Sequence, residues 1–234
     1  MDRLEEQANN ADAMHFGSYI HKIFEEGVEA TTYKELEDLA IQLEHNYAFN
    51  ESFKPKIQVC LKNFLRLNAS LTEIGQTEMV YEVSAADDIT LNGIIDRVVA
   101  GSDGGYLVID YKTGKREKSK LELFEDDQLK GYCYAIHKML KVPVEDITVA
   151  HYYPVSDNLV SLKYSRAQIG AYLKTKIDEV WRIRKCTKKD MIPSRNTFCN
   201  WCGYKYVCPI FNDPHLVSKR LVEAKKVPRR KKNS

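Results

Sequence analysis

The sequence predicts an α/β domain with a helical amino-terminal portion and a cysteine-rich carboxy-terminal segment. Three observations carry that reading. Apolar residues between positions 14 and 65 recur at three- and four-residue steps, the helical period. From residue 76 to residue 111 the pattern changes to alternation with β-branched side chains, the strand period. Cys199, Cys202 and Cys208 then crowd into a C-x2-C-x5-C stretch. A chain of 234 residues that is 44% hydrophobic and 29% charged suits one or two domains with a buried core, and it excludes disordered and collagen-like classes.

Met14, Ile20, Ile23, Phe24 and Val28 carry the first helix. Thr32 with Glu35 three places on is a capping-box pair, and it opens a second helix over 33–46 with Leu36, Leu39, Ala40 and Leu43 on the inner face. Pro55 suits the first turn of a third helix through Ile57, Val59, Leu61, Phe64 and Leu65. Strands are predicted over 76–83, 89–100 and 106–111. The links at 85–88 and 101–105 are short, so these strands pair antiparallel. After a charged loop at 115–120, the spacing of Leu123, Leu129, Tyr132, Ala135, Ile136 and Met139 predicts one helix over 122–140. Strands over 147–153 and 159–164 and a long helix over 167–185 complete the order. We divide the chain into a single domain over 1–218 and a basic, flexible tail over 219–234. The domain has a helical portion (1–70), a mixed core (76–164), and the long helix with the cysteine segment (166–210).

Formal charge is only +2, from 35 basic and 33 acidic residues, but it is unevenly placed. Lys219, Arg220, Lys225, Lys226, Arg229, Arg230, Lys231 and Lys232 stand against Glu223 alone, so a mildly acidic body carries a basic tail. That tail reads equally as a non-specific grip on phosphates and as a solvated terminus with a localisation role. No apolar run approaches the roughly 20 residues needed to span a bilayer. Residues 1–20 carry Asp, Glu and Asn where a signal peptide needs an apolar stretch. The expectation is a soluble, cytoplasmic protein with no membrane partner.

The chemistry concentrates between positions 93 and 132. Gly93 and Asp96 form G-x-x-D at the end of an apolar run through Ile94 and Ile95, and Val108 and Ile109 lead into Asp110, Tyr111 and Lys112. Side chains two apart in a strand share a face, so Asp110 and Lys112 project the same way, and a tight hairpin brings Asp96 to them. Two carboxylates beside an ammonium make an oxygen-rich site for a hard divalent cation, with a positive group for an anionic substrate. The plainer alternative is a surface Asp–Lys pair, but acids ending apolar runs are buried and need a compensating partner. Gln128 and Tyr132, at i and i+4, present an amide and a phenol on one helix face. His21 lies one turn after Gly17, whereas His15 falls about 240° around the same helix. A lone histidine there also reads as a polar core or surface residue.

The ordered set G-x-x-x-H (Gly17 to His21), G-x-x-D (Gly93 to Asp96), D-x-K (Asp110 to Lys112) and Q-x-x-x-Y (Gln128 to Tyr132) resembles the RecB-like branch of the PD-(D/E)xK nuclease superfamily. Each piece is weak and the ordered set is specific; it covers residues 14–135, and 210 with the cysteines. The resemblance implies a restriction-endonuclease-like core of αβββαβ order and a DNA nuclease that uses Mg2+ or Mn2+. It implies that His21, Asp96, Asp110 and the carbonyl of Tyr111 hold the metal. Lys112 would orient or activate the attacking water, and Gln128 and Tyr132 would support the site or the scissile phosphate. Glu78 reads either as an additional acid or as a solvent-facing strand residue.

The cysteines are similar to those of the iron-sulfur members, such as the CRISPR-associated RecB-like exonucleases and AddB-type helicase-nuclease subunits. There, a fourth thiolate precedes the histidine-bearing helix; here no cysteine precedes Cys60. The fourth ligand of a [4Fe-4S] cluster would then be Cys186, or come from a longer form of the chain. The alternative is Zn2+ held with His215 or Cys186. Cys60 and Cys133 sit in apolar helical patterns and read as core. Trp201, Tyr204 and Tyr206 read either as stacking platforms for unpaired bases or as shielding around the metal.

The function expected on this resemblance is exonucleolytic cleavage of single-stranded DNA or free DNA ends in recombination, repair or viral DNA processing. The alternatives are a structure-specific or nicking endonuclease and a non-catalytic DNA-binding scaffold. No Walker-type G-x-x-x-x-G-K-[ST] occurs, so any unwinding falls to a partner helicase or recombination protein.

Overall fold

The computed structural model describes residues 3–114, 116–187, 189–190, 192–200 and 202–212. The tail over 219–234, Trp201 and His215 lie outside the described residues. The chain forms two compact units, Met1–Val180 and Trp181–Ser234.

In the first unit, helices α1 (Arg3–Glu26), α2 (Tyr33–Glu44) and α3 (Lys54–Ser70) precede strands β1 (Gln76–Ala86), β2 (Ile89–Ala100) and β3 (Tyr106–Tyr111). Helices α4 (Lys120–Phe124) and α5 (Asp127–Leu140), strands β4 (Ile147–Tyr153) and β5 (Asn158–Lys163), and helix α6 (Arg166–Lys185) follow. One five-stranded sheet runs in the order β1-β2-β3-β4-β5. β1, β2 and β3 pair antiparallel as their short links require, whereas β3 and β4 pair parallel through the α4–α5 crossover. Mixed α/β architecture is thus the fold class that the pattern predicts.

Local signals set most of the boundaries. The Thr32 side chain accepts from the Glu35 N–H while the Glu35 carboxylate accepts from the Thr32 N–H, closing the capping box of α2. Pro55 lies in the first turn of α3. The single helix expected over 122–140 is a correction: it is two helices. Asp126 accepts from the N–H groups of Gln128 (2.9 Å) and Leu129 (3.1 Å), which starts α5 afresh and aims it independently of α4. The apolar stripes are also narrower than the periodicity suggests, since Met14, Val59 and Met139 are exposed.

Apolar cores fill both faces of the sheet. On one face Phe24, Leu36, Leu61 and Phe64 from α1–α3 pack on Ile109, Tyr111 and Tyr152; Phe24 and Phe64 stack at 4.0 Å. On the other, Leu129, Tyr132, Cys133 and Ile136 of α5, with Ile169 of α6, cover Tyr81, Ile95, Val98, Val108 and Val149. Cys60 and Cys133 are fully buried, as their patterns predict. β2 contributes both Ile95 and Val98 to the same core, an odd and an even position, so the strand changes face between them. That change of face falls at Asp96. Among the described residues, no helix is long and apolar enough to cross a membrane.

Among its described residues, the second unit holds the last turn of α6 and then turns. A 3-10 turn at Thr197–Asn200 carries Cys199, whose sulfur accepts from the Asn196 N–H at 3.3 Å. The Arg195 guanidinium and the Lys205 ammonium each lie 5.4 Å from the centre of the Phe211 ring. Phe198, Tyr204 and Tyr206 are exposed.

Candidate active site

Two glycines admit the close approaches on which the site depends. A Cβ at Gly17 would stand 3.0 Å from Thr113 Oγ1, so the absence of a side chain lets α1 lie against the residue after the D-x-K strand. One turn on, His21 Nε2 donates to the Tyr111 carbonyl at 2.9 Å, and Nδ1 lies 3.5 Å from Asp96 Oδ2. Burial pulls the His21 pKa down, but the hydrogen bond and charge of Asp96, with the charge of Asp110, outweigh it and leave the pKa raised.

At Gly93 a Cβ would stand 2.7 Å from Tyr81 Oη, because the Tyr81 ring lies across the strand and makes an edge contact with Tyr132. Gly93→Ala is therefore expected to destabilise the protein by about 1–3 kcal/mol through overpacking. A thermal melt matching wild type would show that the ring can step aside.

Asp96, at the change of face in β2, accepts from the Tyr111 N–H at 2.7 Å. Opposite it on β1, Glu78 adopts φ 45°, a left-handed conformation that is strained for a non-glycine residue. Ligand atoms of His21, Glu78 and Asp96 lie within 4.8 Å of one another, in a cleft of about 360 Å³ also lined by Gly17, Ser18, Lys22, Glu25 and Tyr47. Burial and the charge of Asp96 raise the Glu78 pKa. The structure thus places Glu78 with the site rather than on an open strand face.

Asp110 is 2% exposed at the end of β3. Its Oδ2 lies 2.5 Å from the Lys112 ammonium but makes no hydrogen bond of acceptable geometry. Burial pushes the Asp110 pKa up to about 6, against the pull of the Lys112 charge and with a further rise from Asp96. Lys112 also donates to Gln128 Oε1 at 3.1 Å, and Gln128 Nε2 donates to Tyr132 Oη at 2.7 Å. The structure therefore joins His21, Asp96 and the Tyr111 carbonyl in one set of contacts and Asp110, Lys112, Gln128 and Tyr132 in a second that is continuous with it along β3; Asp110 does not fall in the set within 4.8 Å that His21, Glu78 and Asp96 form, and His15 is exposed.

A layer of polar groups behind Asp110 has no counterpart in the sequence reading. The parallel register sets His151 directly beside Asp110. His151 is fully buried, with Nε2 3.7 Å from Asp110 Oδ2 and 3.8 Å from Asp126 Oδ2. Lys118 donates to Asp126 Oδ2 at 2.6 Å. The only sequence signal was a polar residue inside the apolar run 147–153, and its neighbours follow from a pairing that no local pattern states.

The cysteine set is arranged differently. Cys186 and Cys202 are exposed, and Cys199 and Cys208 half-buried. Among the described residues, the set of three potential ligands lying within 4.8 Å of one another is His21, Glu78 and Asp96; the thiols do not close to that spacing.

The family profile of the PD-(D/E)XK nuclease superfamily matches residues 1–209. Among solved structures, a protein from Eubacterium rectale provisionally named an exonuclease aligns at 13% identity and TM-score 0.49, covering 82% of this chain and 72% of that one. The protein SSO0001 aligns at 17% identity and TM-score 0.40, covering 76% and 79%. No curated protein matches the chain.

Proposed function

The chain belongs to the PD-(D/E)XK nuclease superfamily, and from that premise we propose that it is a divalent-cation-dependent deoxyribonuclease acting at DNA ends, with His21, Asp96, Asp110 and the Tyr111 carbonyl as ligands for Mg2+ or Mn2+. One observation carries the reading: a buried acid with an unsatisfied oxygen, Asp110, lies against the ammonium of Lys112 in the same locality as His21 and Asp96. An imidazole, carboxylates and a backbone carbonyl are a fitting donor set for a hard or borderline dication. An ion of that charge would also offset the burial that raises the Asp110 pKa. Glu78 adds a further oxygen donor within reach of His21 and Asp96.

When bound, such a cation lowers the pKa of its water and neutralises a phosphate oxygen. The chain's own groups supply the rest. Lys112, fixed by Asp110 on one side and Gln128 on the other, holds positive charge where the phosphorane's negative charge develops and can orient the attacking water. Tyr132 fixes the Gln128 amide, so the ammonium has little freedom to leave the site.

Exonucleolytic action in recombination, repair or viral DNA processing, with a helicase as partner, extends this proposal on the motif resemblance, as does the RecB-like branch. Digestion of end-labelled linear, circular, single- and double-stranded DNA with Mg2+, Mn2+ or EDTA tests it. The expected result is metal-dependent loss of linear substrate with closed circles intact. Nicked circles would favour an endonuclease, and no cleavage of any substrate with either metal would favour a non-catalytic binding role. For Cys186, Cys199, Cys202 and Cys208 the donor chemistry suits a [4Fe-4S] cluster or Zn2+; no three of these thiols lie within the 4.8 Å of one another that a single Zn2+ would require, a spacing that does not bear on a cluster whose thiolates bind separate irons. No step is assigned to them.

A further inference from the structure

We propose that His151 is a positioning residue for Asp110: an imidazole, held as its Nε2–H tautomer by the Tyr153 hydroxyl, that steadies the acid from the side away from the cleft. The inference rests on the reading of Asp110 as a cation ligand. It starts from two orphaned atoms. Asp110 Oδ2 and His151 Nε2 are both buried without a hydrogen-bond partner, and they face each other at 3.7 Å. A closure of roughly 0.8 Å would give a bond of ordinary length and satisfy both, and hydrogen bonds at such sites commonly tighten only in the loaded complex.

The direction of that bond follows from the groups around it. The Lys118 backbone N–H donates to Tyr153 Oη at 2.8 Å, which leaves the Tyr153 hydrogen free. His151 Nε2 faces the carboxylate oxygens of Asp110 and Asp126, which only accept, so in the neutral ring the proton resides on Nε2 and Nδ1 accepts from the Tyr153 hydroxyl at 3.4 Å. Two acids face that N–H, and they differ in need. The Asp126 oxygen that faces it, Oδ2, already accepts from Lys118 Nζ at 2.6 Å, whereas Asp110 Oδ2, although 2.5 Å from the Lys112 ammonium, makes no hydrogen bond of acceptable geometry. The proton therefore goes to Asp110. Because Asp126 also caps α5, which carries Gln128 and Tyr132, the same buried layer sets the carboxylate and the groups that restrain Lys112.

Outer partners of this kind commonly change metal affinity by about 10–100-fold. The test is Mn2+ titration of the full-length, metal-free protein, read by electron paramagnetic resonance without DNA. His151→Phe is expected to weaken Mn2+ binding by about 10–100-fold. His151→Gln, whose amide N–H can replace Nε2–H, is expected to stay within about threefold of wild type. Wild-type affinity in a folded His151→Phe protein would reduce His151 to packing, and equal loss in both variants would remove the donor role; either overturns the proposal. Should His151→Phe not fold by circular dichroism, Tyr153→Phe decides: weakened Mn2+ binding supports the relay and unchanged binding overturns it. A wild-type protein that binds no Mn2+ would sink the cation site itself, and this inference with it.

Discussion

Asp110→Asn should abolish metal-dependent DNA cleavage while making the metal-free protein more stable above about pH 6. Loss of cleavage follows from the role proposed for Asp110 as a charged cation ligand and from its hold on Lys112 at 2.5 Å, and an effect of about 10³-fold or more is expected for such a preorganised group. The gain in stability follows from burial. The folded-state pKa of Asp110 is raised from 3.8 to about 6, so folding favours its protonated form. That contribution is fully present below the unfolded pKa and is lost as pH rises through about 6. At pH 8 the native metal-free protein therefore carries an ionised carboxylate in a 2% exposed position, and asparagine relieves a penalty on the order of 2 kcal/mol. Thermal melts at pH 4.5 and pH 8 in EDTA check the sign: the variant's advantage must grow with pH. Mg2+ must then stabilise wild type more than the variant, since the cation binds the ionised acid. Wild-type cleavage by the purified variant would end the nuclease reading at this site.

Arg97→Ala has the largest expected effect on folding. Arg97 is fully buried; its Nε donates to the Ile74 carbonyl at 2.8 Å and Nη1 to Asn68 Oδ1 at 2.6 Å, and its guanidinium lies 5.8 Å from the Phe64 ring centre. It ties the end of α3 and the link before β1 to the strand that carries Asp96. Truncation would remove these charge-assisted hydrogen bonds, together with a longer one from Nη1 to Tyr111 Oη at 3.5 Å, and leave a large cavity, for a loss of about 3–5 kcal/mol. Arg97→Met keeps most of the volume and removes a buried charge that has no carboxylate partner among the described residues. It should therefore lose only about 1–2 kcal/mol. Denaturant midpoints distinguish the two, and equal losses would show that the charge, rather than the volume, holds the position.

Much of the architecture was legible because it depends on neighbours in the chain. Strands over 89–100, 106–111 and 147–153 appear with those boundaries, since alternation and short Gly- and Asp-rich links act within a few residues. The contacts of Lys112 with Asp110 and of Gln128 with Tyr132 follow from two-residue and four-residue spacing. The break at Asp126 is not legible because apolar residues recur on both sides of it, and the cap geometry that separates α4 from α5 leaves no mark in the apolar pattern. Glu78 stays open to two readings in the sequence because its φ of 45° does not follow from strand propensity. The C-x2-C-x5-C spacing names a donor set, but spacing alone does not bring the thiols together.

What the sequence by itself determined is the inventory and its local order: which residues share a strand face, which share a helix face, and which family's motif set they match. These relations are fixed by backbone period and hold wherever the element lies. What only the tertiary structure decided is which distant elements meet. The parallel β3–β4 pairing sets His151 behind Asp110, the change of face in β2 aims Asp96 at His21, and the approach of α1 at Gly17 closes the site. Those pairings are set by loop closure and by burial of both sheet faces at once, a global balance that no window of sequence contains.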